Sequence, residues 1–235
     1  MSQLRKRVYK QVVAAPFAEG GFDIRLDGKP VRTPLRASLR VPTMPLAQAI
    51  AEEWDAQRER IAPETMLLTR LASSAIDRVA PARATVAAQL AAYAATDLLC
   101  HRAPGPAALV KAQAEAWDPL LAWVAESLGA NLQVTEALAP VEQPRSALAA
   151  LASAVEALDA FRLTALGDAV ASTGSLVLGL ALARGRLDAA GAFAASQVDE
   201  DYQRRSWGAE EEQDRRRAVL FAALIGAERF LRLLD

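Results

Sequence analysis

The chain has 235 residues, 52% hydrophobic but only 6% aromatic, and its 27 basic and 28 acidic side chains leave a net charge of −1. Such neutrality provides no global field to draw the molecule to nucleic acid or an anionic membrane. An alanine-rich apolar fraction favours close-packed helices over a broad sheet, and the length allows one large or two modest domains.

The opening segment, MSQLRKRVYKQVV, carries basic residues without the apolar stretch and small-residue cleavage site of a secretory signal. A lone cysteine, Cys100, forbids an internal disulfide and fits a reducing compartment. A cytoplasmic location follows for a bacterial protein, with the mitochondrial matrix, after removal of a presequence, as the alternative.

RVYKQVVAA, GGFDIRLDGKPVRTP and SLRVP are β-prone pieces separated by glycine and proline. Phe22, Ile24 and Leu26 alternate with Asp23 and Arg25, and Asp27-Gly28 supplies a tight hairpin turn. These residues predict a small antiparallel sheet. Thr43 then caps a helix bearing Leu46, Ile50 and Trp54 on one face. A second helix is predicted from about Glu64 to Val79, with Leu67, Leu68, Leu71, Ala75 and Ile76 inward and Arg70, Asp77 and Arg78 toward water. Pro81 suits the first turn of the next, which runs to about Ala95.

The apolar piece Thr96 to Arg102 reads as an edge strand or a helix end, closed by APGP. The domain boundary is placed there, giving residues 1–103 and 104–235. Beyond it the pattern is helical, from the stripe Trp117, Leu120, Leu121, Val124, Leu128 to the terminal Leu220, Phe221, Leu224, Ile225 and Phe230, with one short strand at about Leu132 to Thr135. The fold class is α+β: a small N-terminal antiparallel β-containing domain with helices, packed on a mainly α-helical C-terminal domain. No low-complexity tether separates the two. The uncharged run Ala169 to Ala183 is shorter than the roughly 20 residues of a membrane-spanning helix and reads as a buried helix. Within it Gly174 and Gly179 are structural candidates, since close helix approach would offset the cost of about 1 kcal/mol that glycine carries relative to alanine.

Candidates for covalent or metal chemistry are few. Adjacent Cys100 and His101 point in different directions on a strand or a helix, so they do not form a nucleophile and base pair. One histidine and one cysteine do not make a zinc site; the plentiful acidic residues leave a carboxylate-only magnesium site open, but GGFDIRLDG lacks the lysine and serine of a phosphate-binding loop to accompany it. No catalytic residue, cofactor or metal ligand is assigned. The densest acidic feature, Asp199, Glu200 and Asp201, can pair Glu200 with Arg204 and Asp201 with Arg205 along one helix, or form a docking patch. Trp207, at the end of that helix, either closes the core or anchors a partner. Trp54, Trp117 and Trp123 sit in apolar-periodic helices and read as core.

In order, GGFDIRLDGKPVRTP, LAQAIAEEWDAQ, MLLTRLASSAIDRV, AAYAATDLLCHR, WDPLLAWV, STGSLVLGLALARGRL and DEDYQRRSWG resemble the ATP-twelve family of ATP synthase assembly chaperones, from about Val8 to the C-terminal helix. The resemblance implies a chaperone, not an enzyme. Such a protein binds free alpha subunit of the F-type ATP synthase head, prevents its aggregation and is displaced by beta subunit. It also implies a partner-binding role for one of Asp199, Glu200 and Asp201 and a structural role for Trp54. Two positions depart from the family pattern: His101 where many relatives have tyrosine, and Arg204 where an aliphatic residue is frequent. The implied partner is the alpha subunit, without nucleic acid or membrane insertion, and the chain is expected to be monomeric when free. Two other readings remain open: a hydrolase or ligand-binding enzyme with a carboxylate-lined cleft, and a helical scaffold for another client.

Overall fold

A computed structural model of the protein describes residues 6–137, 139, 141–208 and 210–235. The chain forms two compact units. The first comprises residues up to Arg83 with Ala160–Thr164 and Arg229–Asp235, and the second Ala84–Asp159 with Ala165–Glu228.

In the first unit, β1 (Val12–Pro16), β2 (Phe22–Leu26), β3 (Lys29–Pro30) and β4 (Arg40–Val41) form an antiparallel sheet. β2 pairs with all three others: Val12 faces Leu26, Arg25 faces Pro30 and Phe22 faces Val41. Asp27 (φ 47°) and Gly28 (φ 79°) turn β2 into β3, the left-handed pair that a two-residue hairpin needs. The Asp27 carboxylate accepts from the backbone N–H groups of Gln11 and Lys10, and these bonds hold its carboxyl below the usual range. The expected alternation in β2 is incomplete. Ile24 is fully buried, but so is Asp23, at 2% exposure, because Arg25 Nε donates to both of its oxygens at 3.2 Å.

Helix α1 (Met44–Asp55) packs on β1 and β2 through Leu46, Ala47, Ala49 and Ile50. Its cap is Thr43, whose hydroxyl accepts from Leu46 N–H and donates to the Leu233 carbonyl. The predicted helix from Glu64 to Val79 is instead three pieces. A 3-10 turn at Pro63–Thr65 leads into α2 (Leu67–Ser74), and a π-helical turn follows at Ala75–Val79. The start of α2 is capped from α1: Glu53 accepts from Leu68 N–H at 2.7 Å and from both Thr69 N–H and Thr69 hydroxyl at 2.8 Å. Pro81 explains the π turn. It has no N–H to return to Asp77, and the wider turn is closed by Ala80 N–H donating to the Ala75 carbonyl.

The second unit is helical: α3 (Arg83–Ala91, its first residue in the first unit), α4 (Ala107–Leu128), α5 (Arg145–Glu156), α6 (Ala160–Thr173), α7 (Leu176–Ala183), α8 (Ala189–Ser196), α9 (Val198–Trp207) and α10 (Glu211–Arg232). α6 begins, and α10 ends, with residues of the first unit. Trp117 on α4 is 1% exposed, and its indole donates to the Ala195 carbonyl at 2.7 Å. Leu120 and Val124 share its buried side, whereas Ile225, expected in the terminal stripe, is 47% exposed.

The run Ala169 to Ala183 is not one helix. α6 stops at Gly174, whose φ of +71° is left-handed, and Ser175 caps α7 by accepting from Leu178 N–H at 3.0 Å. Gly174 therefore serves a turn. Gly179 keeps the close-approach role: a Cβ there would lie 2.8 Å from Val170 Cγ2 and 3.0 Å from Leu166 Cδ1.

The chain first passes from the first unit to the second at Arg83–Ala84. Within the second unit the residue that ties down the segment after α3 is Asp97. Fully buried, it accepts from Ser175 Oγ at 2.7 Å, Val177 N–H at 3.0 Å and Leu99 N–H at 3.1 Å, which fastens the segment after α3 to the start of α7. The piece Thr96 to Arg102 forms a 3-10 turn at Leu98–Cys100, and the strand expected at Leu132 to Thr135 is reduced to one bridge between Thr135 and His101.

Candidate functional site

Helix α9, VDEDYQRRSW, is too polar to be held by apolar burial, and no residue in it is buried. Its fixing points are polar. Asp199 accepts from Gln113 Nε2 of α4 at 2.7 Å, and buried Gln113 is itself oriented by accepting from Ala103 N–H at 2.9 Å. Asp201 accepts from Arg217 Nη2 of α10 at 2.7 Å. The Arg217 guanidinium also donates to Gln197 Oε1 at 2.8 Å and lies over the Phe193 ring, 5.1 Å from its centre. Arg204 reaches Asp214 of α10 at 2.6 Å, an ion pair by distance whose Nη1 is not aligned as a hydrogen-bond donor.

The pairing expected from spacing, Glu200 with Arg204 and Asp201 with Arg205, is replaced by contacts to other helices. Asp201 and Arg204 both turn to α10, and the Arg204 side chain is only 23% exposed. This arginine, at a position where the resemblance expects an aliphatic residue, is half-buried with a carboxylate partner.

These attachments leave one side of α9 open. Glu200, Gln203 and Trp207 are all exposed, and their spacing of three and four residues places them in a row along the helix. Trp207 is 80% exposed, which removes the core-closing alternative for this ring. Gly208, at φ +93°, ends the helix directly after it. The predicted patch thus separates into two positioning carboxylates, Asp199 and Asp201, and an outward acidic and aromatic row.

Trp54 lies near the end of α1 in the first unit. Tyr9 donates its hydroxyl to the Trp54 carbonyl at 2.7 Å, and the two rings meet edge to face at 5.9 Å. These contacts fasten the segment before β1 to α1. The indole Nε1 of Trp54 is buried without a hydrogen-bond partner among the described residues.

Cys100 is buried, and that burial, followed by the Asp97 charge, pushes its thiol up to about 12. Burial likewise raises the Asp97 carboxyl, against the opposing hydrogen bonds of Ser175, Val177 and Leu99. Asp97 is enclosed among helix ends and is not part of a carboxylate-lined cleft. No group of three or more His, Cys, Asp or Glu side chains among the described residues is placed to hold a metal ion. Nor is any described helix long and apolar enough to cross a membrane.

Sequence reasoning passed over Asp97, Glu53 and Arg217. Asp97 carried a readable signal, an aspartate directly before the short helical piece that it caps. Glu53 and Arg217 carried none, because each acts on a residue brought near only by folding.

A small antiparallel sheet accompanied by a large helical part defines the α+β class, and in this arrangement the chain is similar to solved chaperone structures. Atp12 from Paracoccus denitrificans is 48% identical over 98% of both chains, with a TM-score of 0.95. A single aspartate-to-lysine mutant of that protein matches with the same values. A candidate chaperone from Agrobacterium tumefaciens is 40% identical over 99% of this chain and 87% of its own, with a TM-score of 0.94. The chain belongs to the ATP12 chaperone protein family, whose sequence profile matches residues 6–125.

Proposed function

We propose that this chaperone serves assembly of the F-type ATP synthase head: it binds free alpha subunit, prevents its aggregation and yields to beta subunit, without catalysis, cofactor or metal. Family membership and the resemblance of seven ordered sequence blocks support this reading. The observation that carries the docking assignment is the open side of α9, where Glu200, Gln203 and exposed Trp207 form a row beside carboxylates already engaged within the fold. A tryptophan at 80% exposure contributes nothing to the core, and tryptophan is among the residues most enriched at the energetic centres of interfaces.

The mechanism needs only mass action. A ligand that covers the apolar interface of an unassembled subunit lowers the concentration of the aggregating species, and a tighter competitor releases it. Asp199 and Asp201 act as positioning residues, and Glu200 and Trp207 as contacts. The test is light scattering of purified alpha subunit at a temperature where it aggregates, without nucleotide. The chain should suppress scattering, Trp207→Ala and Glu200→Lys should each weaken suppression about tenfold in the concentration required, and added beta should release the chain. Unchanged aggregation in the presence of the wild-type chain contradicts the proposal.

A further inference from the structure

The first unit contains a cleft of about 820 Å³ that the α9 row does not involve. Its apolar lining includes Trp54, Ile61 and Met66, with Leu35 on the rim at 71% exposure. Around this lining stand four exposed arginines, Arg32, Arg36, Arg70 and Arg78, against one acid, Asp77. Asp77 carries one charge against four, and its carboxylate makes no ion pair with them among the described residues but is held by neutral donors. Oδ1 accepts from the Thr33 hydroxyl at 2.6 Å and Oδ2 from Leu35 N–H at 3.0 Å. The guanidinium groups of Arg36, Arg70 and Arg78 make no ion pair among the described residues.

The walls are built with uncommon backbone. Arg36 is left-handed, at φ +69°, a conformation that costs a residue other than glycine about 1–3 kcal/mol. Its turn is closed by Arg36 N–H donating to the Thr33 carbonyl and by Arg32 donating to the Arg36 carbonyl, both at 2.9 Å. Asp77 and Arg78 lie in the π-helical turn, and such turns occur frequently at functional sites. The Asp77 bonds fasten that turn to the strained one, so the two irregular segments hold the arginines around a common apolar lining.

We infer that this cleft is a second docking site, for an acidic segment of a protein partner that places an apolar side chain between flanking carboxylates. Charge complementarity selects the occupant. Clustered arginines with an apolar centre suit an acidic peptide, which offers a carboxylate on either side of a buried side chain. The exposed rim leucine adds contact area that a small anion would not use. This site is independent of the proposed α9 contact and of the client's identity.

The test is selection of a phage-displayed library of random 12-residue peptides on the full chain, repeated on an Arg70→Glu/Arg78→Glu variant and on Trp207→Ala. Both arginines are exposed, and a circular dichroism spectrum and melting curve matching wild type verify the fold. The expected result is enrichment of peptides with acidic residues flanking an apolar one. Their affinity should be at least tenfold lower for the double arginine variant and unchanged for Trp207→Ala. Peptides without acidic bias, equal binding to the arginine variant, or no enrichment overturn the inference. Calorimetric binding of inorganic phosphate that depends on the two arginines, with no peptide selected, would also overturn it by assigning the cleft to a small anion. Loss of binding in Trp207→Ala alone would locate the peptide on α9 and refute the cleft.

Discussion

Replacing Gly179 by alanine tests the packing of the helical unit with opposing effects of known size. In an exposed helix the change would stabilise by about 1 kcal/mol, because glycine pays more backbone entropy. Here the new methyl would lie 2.8 Å from Val170 Cγ2 and 3.0 Å from Leu166 Cδ1, against the 3.5–4.0 Å of a relaxed carbon contact. Val170 and Leu166 are fully buried, and a β-branched side chain within a helix has essentially one rotamer, so Val170 cannot swing aside. Overpacking of this kind costs about 1–3 kcal/mol, so the net expectation is a loss of between about 0 and 2 kcal/mol. Val170→Ala alone should cost about 2 kcal/mol through the space it leaves. The double variant should be more stable than the sum of the two, by about 1 kcal/mol or more, since each change fills or vacates the same volume. Urea unfolding of the full chain, followed by circular dichroism, measures all three. A stabilised Gly179→Ala variant, or strict additivity, would refute the close-approach account.

Asp97→Ala leaves the buried Ser175 hydroxyl and the Val177 and Leu99 N–H groups without their acceptor, and should cost about 3 kcal/mol or more in the same assay. A loss under about 1 kcal/mol would contradict the role of this carboxylate as a fastening. Cys100 should resist iodoacetamide at pH 8 in the native chain and react once unfolded, since thiolate is the reactive form. Its folded thiol sits at about 12, above the ordinary 9.0. The stability gained from keeping that proton is therefore complete below pH 9.0 and is lost as the pH rises toward 12. An alkaline denaturation profile that Cys100→Ala leaves unchanged would refute this. Trp207→Ala and Glu200→Gln should leave the melting temperature within about 1 °C of wild type, whereas Asp201→Asn, which removes the charge paired with Arg217, should lower it. Equal effects of all three would remove the distinction between outward and positioning residues.

The parts of the fold legible in the sequence were those set by neighbours in the chain. Asp27-Gly28 announced its hairpin because both residues accept left-handed geometry, and Thr43 announced α1 because a hydroxyl caps the residues just after it. Periodicity located the core face of α4 for the same reason. What escaped was fixed by partners distant in sequence. The uncharged stretch around Gly174 reads as one helix until the turn and the Ser175 cap are seen, and α2 owes its start to Glu53 on another helix. The sequence of α9 revealed an acidic helix but not its orientation. Asp199 and Asp201 are turned inward by Gln113 and Arg217, residues far away in the chain, and only that contrast separates Glu200 from its neighbours. The cleft in the first unit was invisible for a related reason: Arg70 and Arg78 read as solvated residues on one helical face, and only folding brings Arg32, Arg36 and Trp54 around the same space.

The most direct test of the proposed function is sedimentation velocity of the purified chain mixed with free alpha subunit in the absence of nucleotide. The account predicts a discrete complex, weakened by Trp207→Ala, from which added beta subunit releases the chain. If the chain and alpha subunit sediment independently at micromolar concentrations, the proposed function is contradicted.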